Sequence, residues 1–208
     1  MGPGAQKDLI ALVADSNAES AVRGLLSRRP SLGIREISAD VYVHPERDPG
    51  CCRKAHEFLR SFAKAYHHAL VLFDREGSGR DDQTRVELEA QVADRLSRAG
   101  WGERSEVVVL DPEIDIWVWS GSPHVARMLG WEGPRAELDA WLVDQGFLEP
   151  GQAKPSRPKE ALEKALWVAR KPRSSALYRG LAEKVSLRQC EDAAFLKFKE
   201  TLRRWFAA

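Results

Sequence analysis

The stretch Ala69–Arg80, ALVLFDREGSGR, decides the fold. Five apolar residues run without interruption, and the chain then turns acidic at Asp74 and Glu76 and rich in glycine. A short apolar run bounded by turn residues marks a strand buried on both faces, as in a parallel sheet covered by helices. The spacing predicts that strand over His68–Phe73. Three other segments share the pattern: Asp8–Ala14 (DLIALVA), Ile37–His44 (ISADVYVH) and Ser105–Leu110 (SEVVVL). Helical stretches lie between them. Asn17 can cap a helix whose Ala18, Ala21, Val22 and Leu25 form one stripe. A loop, PERDPG, precedes a helix over Cys52–Ala65. A longer helix spans Asp81–Ala99, with Leu88, Val92 and Leu96 on one face and Gly100 closing it. Alternating strands and helices predict an α/β fold, a mainly parallel four-stranded sheet flanked by helices.

Beyond Asp111 the pattern becomes helical. Asp111-Pro112-Glu113 reads as a helix start. Helices follow over 123–129, 135–145, 159–169 and 174–185. A last one is capped by Asp192 and carries Phe195, Phe198, Leu202, Trp205 and Phe206. The expected organisation is an α/β domain over 1–120 and a C-terminal all-helical extension over 121–208, its basic end section packed on the domain.

Composition narrows the class. Of 208 residues, 30% are charged and 43% hydrophobic. No apolar run approaches the roughly 20 residues of a membrane span, so no membrane partner is expected. The start, MGPGAQKDLIALVADS, reads as a first strand and not as a signal peptide. Three cysteines, of which Cys51 and Cys52 are adjacent, make no disulfide framework and suit a cytoplasmic protein. From Gly151 to Ala208 there are 14 Lys or Arg against 6 Asp or Glu. The formal net charge is only +1, so the first 150 residues are acidic. That split suggests two jobs, or an internal electrostatic contact.

Three of the strands end in carboxylates. Asp15 follows the first, with Glu19 one helical turn later; Asp74 and Glu76 follow the third; Asp111, Glu113 and Asp115 follow the fourth. In a parallel sheet these ends lie together, where such folds place their ligands. Gathered carboxylates repel unless a cation or proton lies between them, and hard oxygen donors suit Mg²⁺ or Mn²⁺. Each acid also has a plainer reading: Asp15 as a turn residue, Asp111 as a helix cap. His44, Cys51, Cys52 and His56 fit no common zinc spacing; HPERDPG, with His44 at a strand end, can instead line the acidic site. Gly77-Ser78-Gly79 is too short for a phosphate-binding loop. Trp117 and Trp119 read as core or as walls of a site. Lys154, Arg157, Lys159, Lys171, Arg173 and Arg179 form a candidate nucleic-acid-binding edge, or a solvated face.

The order of VADSNAES, LVLFDREGSG and DPEIDIW resembles the TOPRIM domain, in the compact variant of small bacterial proteins from phage-defence loci. That variant also carries Lys-Pro elements and a helical tail with a Tyr, matched here by KPSRPKEALEKAL and KPRSSALYRGLAEKVSLRQCEDAAF. The resemblance spans most of the chain, and the whole chain is most similar to small components of methylation-associated defence systems. It implies a Mg²⁺- or Mn²⁺-dependent phosphodiester site. Asp15, Glu19, Asp74 and Glu76 match its catalytic acids; Asp74, Glu76, Glu113 and Asp115 match its metal ligands. Two departures stand out. Ser16 follows the first acid where the family has Gly, and each acidic motif carries an Asp/Glu exchange. The expected function is therefore a Mg-dependent nuclease or phosphotransfer enzyme in antiviral defence, with other defence proteins as partners. The alternative is a catalytically degenerate scaffold subunit that keeps the fold and docks onto another defence protein.

Overall fold

The computed structural model describes residues 6–187 and 190–208. The first five residues of the expected leading segment and two residues of the quoted tail, 188 and 189, lie outside them. The chain runs β1 (Lys7–Val13), α1 (Ser16–Leu26), α2 (Arg29–Leu32), β2 (Ala39–Val43), α3 (Arg47–Arg60), β3 (Tyr66–Asp74), α4 (Arg85–Leu96) and β4 (Ser105–Leu110). Six helices follow: α5 (Asp115–Val118), α6 (His124–Leu129), α7 (Arg135–Asp144), α8 (Pro158–Val168), α9 (Ser175–Lys184) and α10 (Ala193–Phe206). The four strands form one sheet, ordered β2-β1-β3-β4, and every pairing is parallel. Among the described residues no helix is long and apolar enough to cross a membrane.

The chain begins in the middle of the sheet, moves outward to β2, then returns across β1 to β3. Connections leaving the neighbours β1 and β3 therefore diverge to opposite faces, and a crevice opens between them. Alternate residues of the strands serve different layers. Ile10, Leu12, Val71, Phe73 and Val109 pack with Cys51, Ala55 and Leu59 of α3 and Leu88 and Val92 of α4. Leu9, Val13, Leu70, Leu72 and Val108 pack with Val22 and Leu25 of α1. That second cluster continues without a break into Leu138, Leu162, Tyr178, Phe195 and Phe198. The C-terminal helices thus share their core with one face of the sheet.

Several local readings change once packing is seen. Helix α3 starts at Arg47, inside the expected PERDPG loop, because Pro49 falls in the first helical turn, where its missing N–H costs nothing. Helix α4 starts at Arg85 and not at Asp81, because Thr84 and Glu87 close a capping box. Asp111-Pro112-Glu113 does not begin a helix. The Asp111–Pro112 peptide is cis, and the Asp111 carboxylate accepts from Arg75 Nε at 2.8 Å and so caps nothing. A short helix that the pattern does not predict, α2, ends at Gly33 with φ 74.

Helix α9 is bound tightly to α1. A Cβ on Gly24 would stand 2.9 Å from both the Ala182 Cβ and the Arg179 carbonyl oxygen. Arg28 donates to the carbonyls of Ala182 and Val185 at 2.9 and 2.6 Å, a cation on the C-terminal end of α9. Asp192 Oδ1 caps α10 through Phe195 N–H and also accepts from Trp117 Nε1, both at 2.9 Å. Replacing Gly24 by Ala is expected to lower stability by about 1–3 kcal/mol through overpacking, read as a lower urea midpoint. On an uncovered helix face the same change would raise stability, so the sign of the shift reports the contact.

Candidate acidic active site

Strand register brings the acids together. Val13 of β1 pairs with Leu72 of β3, so Asp15 and Asp74, each two residues further on, leave neighbouring strands at the same level. Asp74 pairs in turn with Leu110 of β4. Backbone hydrogen bonds lace the loops beyond: Arg75 N–H to Leu110 O at 2.8 Å and Glu76 N–H to Pro112 O at 3.0 Å. The carboxylates join the lacing. Asp15 Oδ1 accepts from Ala18 N–H at 2.8 Å and caps α1. Asp74 Oδ1 accepts from Ile114 N–H at 2.9 Å. Asp48 Oδ1, from the first turn of α3, accepts from Asp74 N–H at 2.8 Å. These acids and Glu113 line a cavity of about 560 Å³ whose walls also carry Arg47, Arg157 and Lys159.

The groups suffer one another's charge. Burial, then the charges of Asp48, Asp15, Glu113 and Asp115, push the Asp74 carboxyl well above the usual carboxylate range. Burial, then Asp115, lifts Glu113 to about 7, against the pull of Lys159 Nζ at 3.6 Å. Burial raises Asp48 as well, opposed by the Asp74 N–H. Such shifts in a cleft mark groups held together against their mutual repulsion.

The structure treats the other expected site residues differently. Glu76 is exposed at the cavity rim. Glu19 does not line the cavity and instead accepts from Arg23 at 2.9 Å. Asp115 is 1% exposed, and its oxygens are engaged. Arg173 Nη2 reaches both, at 3.0 and 2.8 Å, and Tyr178 O–H donates to Oδ1 at 2.6 Å. Burial first, then Asp115, raises the Tyr178 phenol far above its usual range, so it stays a donor. Of the six basic candidates, Arg157, Lys159 and Arg173 reach the cavity. Lys154 lies 4.0 Å from Asp192 in a separate cleft. Lys171 turns to the Met128 carbonyl, and Arg179 pairs with Glu183. Trp119 is fully buried and donates to Pro158 O, so it is core.

Asp48 and Arg47 lie in HPERDPG, the stretch expected to line the acidic site, although the sequence singles out neither residue. Their one signal is position, in HPERDPG at the end of β2. Arg47 adopts φ 51, a left-handed conformation uncommon for a side chain of its size. His44, four residues before Asp48, is buried, and its Nδ1 accepts from Glu46 N–H at 3.0 Å.

A divalent cation can be tested against this donor set. The donors are hard carboxylate oxygens, and Asp15, Asp48 and Asp74 are each oriented by a backbone N–H on one oxygen, which leaves the second for a ligand. Among the described residues, no three His, Cys, Asp or Glu side chains close into a metal cage. The carboxylate oxygens suit a hydrated Mg²⁺ or Mn²⁺ held by one or two of them, and among the described residues the lining carries no His or Cys, the donors Zn²⁺ favours. Comparison with protein-family models, curated proteins and solved structures gives no match.

Two outcomes follow. Glu113 binds more protons in the folded than in the unfolded chain between pH 4.5 and about 7. Its contribution to stability is thus present below that window and lost as pH rises through it. Urea titrations in chelator are expected to show this decline, and Glu113→Gln to flatten it. Asp115→Ala leaves Arg173 and Tyr178 without their partner and is expected to cost about 3 kcal/mol, measured by denaturation, whereas a solvated ligand carboxylate would cost far less.

Proposed function

We propose that this chain is a Mg²⁺- or Mn²⁺-dependent phosphodiester hydrolase, or a related phosphotransfer enzyme, acting in the cytoplasm as a component of a bacterial anti-phage defence system. The defence setting rests on the TOPRIM-like resemblance; the chemistry rests on the cavity. The observation that carries it is the convergence of Asp15, Asp48, Asp74 and Glu113 at the carboxyl ends of parallel strands, with Arg47, Arg157 and Lys159 in the same wall.

When bound, a divalent ion would activate water and stabilise the leaving oxygen. Asp74 would be the central ligand, because Ile114 N–H holds its Oδ1 and the Asp48 carboxylate fixes its backbone N–H. Asp48 and Asp15 complete the oxygen surface around it. Glu113 titrates near neutrality, so it can take a proton from water or return one to a leaving group. Lys159 and Arg157 offer charge to phosphate oxygens. Asp115 serves by position: its pairing with Arg173 and Tyr178 ties α9 to the loop that carries Glu113.

A second reading, a scaffold subunit that keeps the fold without the chemistry, draws on two observations: Asp115 is spent on Arg173, and no closed cage forms among the described residues. Asp74→Asn separates the two, since Asn retains the oxygen that accepts from Ile114 N–H. With Mg²⁺ or Mn²⁺ and single- or double-stranded DNA or RNA, the enzyme reading expects cleavage that falls on the order of 100-fold or more in the variant. Wild-type protein that neither cleaves nor binds either ion by calorimetry would leave the scaffold reading.

A further inference from the structure

The candidate basic edge of the C-terminal section is engaged within the chain, Lys171 through the Met128 carbonyl. Arg157, Lys159, Arg173 and Arg179 all form ion pairs. The layer on the opposite face of the sheet differs. Its ion pairs among the described residues are Lys54–Glu46, Arg85–Glu89 and Arg98–Asp94, with His56 beside Glu57 and Lys197 also on Glu89. Among the described residues Arg53, Arg60, Arg80 and Arg95 form none, and the first three are exposed.

These arginines are not scattered. The Arg53 guanidinium lies beside Gly79, in the space that a Cβ there would take. Arg95 donates from Nη1 to the Arg53 carbonyl at 3.2 Å and from Nε to the Gln91 carbonyl at 3.1 Å. The Arg95 bond to the Arg53 backbone and the Arg53 contact with Gly79, next to Arg80, set the three on one side of α3, where they oppose the upward push of burial on the Cys52 thiol. To one side of them, a groove of about 530 Å³ runs between α3 and α4, lined by His56, Arg60, Arg95 and Arg98 with a single acid, Glu57. On the other side, Gly79 and Arg80 continue the loop whose Glu76 and Gly77 border the acidic cavity, and Arg47 at the start of α3 stands in the cavity wall. The lane follows α3, about 20 Å for its length.

We propose that this arginine lane on α3 and α4 binds the sugar–phosphate backbone of a nucleic-acid strand and leads it into the acidic cavity. Guanidinium groups free of carboxylates are suited to paired hydrogen bonds with phosphate. Such contacts hold a strand without reading its sequence. The lane rests on the phosphodiester reading for its choice of partner, since it ends at the cavity where that chemistry is placed.

The test measures binding without cleavage. Fluorescence anisotropy with labelled single- and double-stranded DNA and RNA, in chelator, is run from about 50 to 200 mM salt. The wild-type chain is expected to bind with log affinity falling linearly against log salt. Arg53→Gln/Arg80→Gln and Arg60→Gln/Arg95→Gln are each expected to weaken binding on every sequence and to reduce the slope by about 1 per arginine. Arg127→Gln/Lys184→Gln, on other helices, is expected to leave both unchanged. Thermal melts confirm folding; if removing the Arg95 hydrogen bonds unfolds the second variant, the first decides. Unchanged affinity and slope in Arg53→Gln/Arg80→Gln would overturn the lane. So would wild-type protein that binds no nucleic acid, or that binds an acidic peptide equally well. Wild-type protein that binds nucleic acid but does not cleave it refutes the chemistry alone; wild-type cleavage with the arginine variants binding normally refutes the lane alone.

Discussion

Asp74 is held in an acidic cavity by two hydrogen bonds, one on its backbone and one on its carboxylate. Its own N–H donates to Asp48, and its Oδ1 accepts from Ile114. One residue thereby links the end of β3, the first turn of α3 and the loop after β4. Each of these hydrogen bonds involves a carboxylate acceptor, the kind worth most in a protein. They offset the repulsion that Asp15, Asp48 and Glu113 exert on Asp74. The crossing of the chain at β1 and β3 makes the arrangement available, because the strand order reverses there and opens a crevice at the carboxyl ends of the two strands.

The two sides of the sheet divide the electrostatic labour. On one, α9 is tied in through Gly24, Arg28 and the Asp115–Arg173–Tyr178 cluster. Cations there neutralise acids of the same chain. On the other, α3 and α4 bury their apolar faces on Val71, Phe73 and Val109 and leave arginines without carboxylates. The tail's surplus of positive charge does not by itself make its candidate edge available, because Arg157, Lys159, Arg173 and Arg179 are already paired. Availability depends on which cations are already paired, and a count of charges along the chain does not contain that information.

The four strands and the longer helices are legible in the amino-acid order, because their causes are local. Buried parallel strands need unbroken apolar runs such as ALVLF, and helices announce themselves through periodic stripes such as Ala18–Leu25 and caps such as Asp192. The convergence of Asp15 and Asp74 follows from parallel order alone. Local reading fails where a distant group competes for a local signal. Asp111 has the chemistry of a helix cap, but Arg75 takes its carboxylate. Pro49 has the character of a loop residue, but it sits in a first turn that tolerates it.

Sequence by itself thus determined the α/β class, the burial of the strands and the acidic character of their ends, since each arises from residues near one another along the chain. Tertiary structure decided which acids share the cavity and which are spent. Asp48 enters from 26 residues before Asp74, and Asp115 is claimed by an arginine 58 residues later. Ion pairing and desolvation act through space, so their outcome is set by which segments the packed core brings side by side.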